Sequence, residues 1–100
     1  FFEAETILPL LAKRCFELLN RPLRLVILSH LGLERDRVLA ENLPPGCWIL
    51  GGHSHTVVSE PVKIGGNFIV QTGAWAKNIG KLDYNFEYPE LSTYQLLNLH

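Results

Sequence analysis

"LRLVILSHLGLERDRVLAENLPPGCWILGGHSHT", residues 23–56, holds two apolar runs that do not alternate, set on either side of a polar segment. Runs of this kind are buried on both faces, the habit of parallel strands covered by helices. Residues 23–28 and 47–50 are therefore read as strands. Between them, residues 36–42 make a short helix with Asp36 as its N-cap, and Leu43-Pro44-Pro45-Gly46 is a break. A strand–helix–strand unit of this length joins parallel strands by a right-handed crossover, which puts the chain in the α/β class.

Upstream, residues 5–20 repeat apolar side chains at Leu8, Leu11, Ala12, Cys15, Phe16 and Leu19, the spacing of one helical face. Thr6 as N-cap would leave Pro9 in the first turn, where its missing N–H costs little, and Asn20-Arg21-Pro22 would stop the helix. Downstream, Gly65-Gly66 between two apolar segments predicts a hairpin. From Leu82 to Tyr88 apolar and polar residues alternate, as in an antiparallel strand with one wet face. Pro89-Glu90 then turns the chain into a weaker last strand.

Composition sets bounds on function. The chain has 100 residues, 47% of them hydrophobic, and nine basic against ten acidic side chains leave a net charge of −1. Such a balance offers no basic field for a nucleic-acid polymer, and no apolar run reaches the length of a membrane span. The chain opens at Phe1 and contains no methionine, so it is expected to be a single partial domain, residues 1–100. Cys15 and Cys47 form no C-x-x-C pair, and both are read as small buried hydrophobes that leave the compartment open.

Three of the four histidines follow strands. His30 ends the first; His53 and His55 come after the second, on Gly51-Gly52. If the strands are parallel neighbours, the three imidazoles meet beyond the carboxyl ends of one sheet, where open α/β folds bind ligands. Neutral imidazole is the commonest metal ligand, so His30, His53 and His55 are candidate ligands of divalent metal. Ser54 and Gln71 lack a decisive context. Lys77 is read as a solvated loop lysine. Trp75 is read as an amphipathic loop anchor in preference to a ring stacked on a base.

With "LSHLG", the Asp36 helix, "GGHSHT" and "QTGAWAKNIGKLDY" in place, residues 23–86 resemble the second half of the catalytic domain of calcineurin-like metallophosphoesterases, most of all the 5'-nucleotidase branch. The resemblance implies an α/β/β/α sandwich with two divalent ions at its edge. His30 and His53 would ligate one ion and His55 the other. The ions would act as Lewis acids on a phosphate ester, a nucleotide above all, and zinc, manganese, iron and cobalt are all admissible.

The chain lacks the Asp-x-His, Gly-Asp-x-x-Asp and Gly-Asn-His motifs that such enzymes carry upstream. Its only aspartates are Asp36 and Asp83, and the Gly66-Asn67 pair runs into Phe68 in a hairpin. No catalytic residue is therefore identifiable. The chain is expected to be inactive alone and to associate with itself or with a missing N-terminal half. The alternatives are a phosphodiesterase or non-nucleotide phosphatase of the same superfamily, or a non-catalytic histidine metal-binding module.

Overall fold

The computed structural model describes residues 3–19 and 24–99. Among them the chain runs α1 (Ala4–Leu19), β1 (Val26–Leu28), α2 (Leu33–Asn42), β2 (Trp48–Gly51), β3 (Val62–Ile64), β4 (Asn67–Gln71), β5 (Asn78–Asp83), a 3-10 turn (Pro89–Leu91) and β6 (Thr93–Asn98). The class is mixed α/β. One sheet has the order β1-β2-β4-β3, and β5 and β6 make a separate antiparallel pair. β1 and β2 are parallel neighbours as expected, with Val26 opposite Trp48 and Leu28 opposite Leu50, but β1 is not covered on both faces: it ends the sheet order, and Val26 and Leu28 are exposed. β2 is also parallel to β4, and β3 pairs with β4 antiparallel through the Gly65-Gly66 turn. Both glycines take positive φ, +58° and +80°, which a type I′ hairpin turn demands at its two central positions.

Alternation along β2 and β4 divides the core. Ile49 and Ile69 face the helices and pack with Leu39, Ala40, Leu43, Cys47 and Ala12. Trp48, Phe68 and Val70 face the second sheet and meet Leu82, Tyr84 and Tyr94. Trp48 stacks on Phe68 with centroids 4.7 Å apart, and its indole N–H donates to the Pro89 carbonyl at 3.1 Å. Buried on both faces, β2 and β4 are the structural centre of the molecule.

Four local expectations change. α2 begins at Leu33 and is capped by Gly32, so Asp36 lies in its first turn, buried, and is no cap. α1 begins at Ala4, which makes Pro9 an interior residue and removes Thr6 from the cap; the expected stop at residues 20–22 lies outside the described residues. Its buried stripe is narrower than predicted. Leu8, Ala12 and Phe16 reach the core, while Leu11, Cys15 and Leu19 are exposed, so only Cys47 is a buried thiol. Finally, β5 stops at Asp83. Arg24 donates to the carbonyls of Phe86 (2.7 Å) and Glu87 (3.0 Å), bending the alternating stretch into a turn in place of a strand.

Candidate functional site

Parallel β1 and β2 end at the same edge, and the loops that follow them carry the three histidines. The rings of His30 and His53 meet edge to face with centroids 4.9 Å apart, and His53 Nδ1 lies 3.2 Å from His30 Nε2. Gly52 makes room for this approach, since a β-carbon there would come within 3.4 Å of His30 Nδ1. His55 turns to a different neighbour. Its ring lies 5.9 Å from that of Trp75 at an interplanar angle of 71°. The structure thus brings His30 and His53 together and sets His55 against the loop before β5. Among the described residues, no three His, Cys, Asp or Glu side chains form one metal-holding group.

The backbone here is strained. The non-glycine residues with left-handed φ among the described ones are His53 (+77°), His55 (+58°), Trp75 (+64°) and Ala76 (+53°). Each such conformation costs on the order of 1–3 kcal/mol and persists only where its surroundings enforce it.

Two buried residues brace the neighbouring loops, Asp36 the turn around His30 and Gln71 the loop that holds His53 and His55. Asp36 accepts a hydrogen bond from Ser29 Oγ at 2.5 Å, and Ser29 Oγ accepts the Leu31 N–H at 3.1 Å, which fixes the turn around His30. Gln71 Oε1 accepts the Thr56 N–H at 2.7 Å and the Ser54 hydroxyl at 3.2 Å. Ser54 Oγ also accepts the Leu33 N–H at 3.1 Å, tying the histidine loop to the start of α2. Gly51 sits between the two braces. A β-carbon there would fall 2.6 Å from Asp36 Oδ2 and 3.3 Å from Gln71 Nε2, so only glycine leaves room for both. Those two atoms are buried without a hydrogen-bond partner. Burial pushes the Asp36 carboxyl above its ordinary range, with the Ser29 hydroxyl and the Arg35 charge pulling the other way.

From the sequence, Asp36 is expected as a cap, and Gln71 and Ser54 have no decisive context. A signal for Asp36 was present: it shares the spacing of Leu39, Ala40 and Leu43, the buried side of α2. For Gln71 there was none, because its partners are set by tertiary pairing. Trp75 is no loop anchor, being 81% exposed. Lys77 is exposed, as a solvated lysine should be.

The spacing of the histidine pair can be compared with that of metal ligands. Two nitrogens bound at 2.0–2.1 Å to one tetrahedral ion stand roughly 3.3 Å apart. The 3.2 Å contact between His30 Nε2 and His53 Nδ1 is a ring-to-ring hydrogen bond whose donor depends on the tautomer, and its length also matches the spacing of two ligands of one ion. The buried Asp36 carboxyl is turned to Ser29 and Gly51, so it braces the turn that carries His30 and does not join the two histidine nitrogens. A hollow of about 700 Å³ beside Asp83, Glu87 and Thr93 is open and has no histidine or cysteine in its lining. In comparison with known proteins, the chain matches no family model and no curated sequence.

Proposed function

We propose that this chain is the C-terminal half of a metallophosphoesterase domain of the 5'-nucleotidase type, contributing part of a two-metal site that hydrolyses phosphate esters, nucleotides above all. The observation that carries this reading is the nitrogen pair of His30 and His53, 3.2 Å apart at the carboxyl edge of parallel strands. The motifs "LSHLG" and "GGHSHT" support it from the sequence. The helix layer, the mixed sheet and the second sheet would be three layers of an α/β/β/α sandwich.

In this reading His30 and His53 hold one divalent ion, and His55 faces the second. Asp36, through Ser29, keeps the His30 turn in place, and Gln71 keeps the loop of His53 and His55 in place. When bound, the ions stabilise charge on the phosphoryl oxygens, an effect worth several kcal/mol. In this reading the carboxylate ligands of the two-metal site are not supplied by the described residues of this chain, which by itself is expected to be inactive.

The test has two stages. Cobalt or zinc titration of the chain, followed by calorimetry and visible absorption, is expected to show one ion bound weakly. His30→Ala and His53→Ala abolish that uptake, whereas His55→Ala leaves it. Hydrolysis of p-nitrophenyl phosphate and adenosine 5'-monophosphate is then measured with manganese or zinc. The chain is expected at background, and a polypeptide extended upstream is expected to be active. In the extended form His53→Ala and His55→Ala each lower the rate by orders of magnitude. Wild-type rates in His53→Ala would refute the assignment. One closed ion held by the isolated chain, with no activity in the extended form, would favour the non-catalytic metal-binding module.

A further inference from the structure

We infer that Trp75 is a stacking platform for the planar ring of the ester bound at this edge, so that nucleoside or aryl phosphates are taken in preference to sugar phosphates. The inference rests on the phosphoesterase reading and adds to it the residue that selects the alcohol half of the substrate.

Trp75 is 81% exposed, so its indole adds little to the core. It nevertheless occupies a costly place, since Trp75 and Ala76 both take left-handed φ, +64° and +53°. A strained turn that ends in an exposed indole is not explained by the stability of this chain. The indole is not left to wander either. Its ring meets that of His55 edge to face at 5.9 Å, and His55 is itself held at φ +58° next to Thr56, whose N–H is bound by Gln71. The indole is thus oriented beside a candidate ligand of the second ion.

The surroundings define the ligand. The loops at 52–59 and 72–77 expose His53, Ser54, His55 and Lys77, with Val57 and Ala76 the other exposed apolar side chains. That apolar area is small for a protein interface, which needs a patch of several hundred Å². It suits one flat ring whose attached anion lies over the polar residues. Every nucleobase presents a π-face, so an indole platform selects for a ring without choosing among bases.

Tryptophan emission tests this directly, because the other tryptophan is out of reach. Trp48 is 1% exposed and stacked on Phe68, so the red, solvent-exposed component belongs to Trp75. Excitation at the red edge, with adenosine 5'-monophosphate or ribose 5-phosphate as titrant, is expected to show saturable quenching by the nucleotide alone. Equilibrium dialysis should give Trp75→Ala a nucleotide affinity lower by roughly 5- to 150-fold, with Trp75→Phe retaining most of the wild-type value and ribose 5-phosphate binding unchanged. Unaltered blue emission from Trp48 verifies that each variant is folded. Equal responses to the two titrants, or wild-type nucleotide affinity in Trp75→Ala, would overturn the proposal. Metal uptake without ring discrimination sinks the platform alone. Ring discrimination without metal uptake sinks the phosphoesterase reading alone.

Discussion

Asp36 is the residue through which acidity reaches the fold. Its carboxyl is buried, and burial raises its pKa above the ordinary 3.8 despite the hydrogen bond from Ser29 and the charge of Arg35. The native state then holds this proton to a higher pH than the unfolded chain does. Its contribution to stability is full below 3.8 and is lost as pH rises through the native value. Urea unfolding of wild type and Asp36→Asn from acid to neutral pH isolates the effect. Wild type should lose stability relative to the variant as pH rises, by at most about 1.4 kcal/mol per pH unit. A pH-independent difference would show that the carboxyl titrates alike in both states. At this scale the sequence was only partly legible. Histidines after strand ends could be read from local order, but the brace formed by Asp36, Gln71 and Ser54 depends on which strands become neighbours, and no local pattern encodes that.

Among the elements, β1 is the least protected. It lies at the end of the order β1-β2-β4-β3, so one side of its backbone has no strand partner among the described residues. On the face it shares with Trp48 and Leu50, Val26 is 46% exposed and Leu28 81% exposed, because the β5–β6 pair covers the middle of the sheet and stops short of this edge. An open apolar edge promotes strand addition between chains. Leu28→Lys is expected to shift sedimentation toward monomer while changing unfolding free energy by no more than about 0.5 kcal/mol. Unchanged association in that variant would place the contact elsewhere. Elements with a strong local code were legible: the two parallel strands, the glycine hairpin and the body of α2. α1 and the end of β5 were less so. In α1 the apolar positions outnumber those the small core can cover, and β5 is cut short by Arg24, a residue more than fifty positions upstream.

As a whole the molecule is a slab of 46 × 35 × 18 Å, thin because each layer is only a few elements wide. Its layering was legible only in part: the unalternating runs gave the parallel pair of the larger sheet, whereas the alternating stretch 82–88 is mostly turn and the strand of the second sheet lies earlier, at Asn78–Asp83. The division of the histidines was not legible, because His55 leaves the other two for Trp75 through loop conformations that no spacing specifies. Asn67, at the start of β4, links the layers in a further way. Its side-chain amide donates to the carbonyls of Ala40 (2.8 Å) and Leu43 (3.2 Å), and its oxygen accepts the Cys47 N–H (2.8 Å). The last turn of α2 is therefore closed by a residue that arrives some two dozen positions later. A helix finished by its own flanking residues can open independently; this one cannot lose the hairpin and stay intact. Hydrogen–deuterium exchange should find the amides at the end of α2 and those of β4 released in a single opening event of common free energy. Asn67→Ala, which strands three buried backbone groups, should lower that free energy by several kcal/mol for both segments at once. Amides exchanging at separate rates would mean that helix and hairpin breathe apart, and a cooperative unit spanning α2 and β4 would then be ruled out.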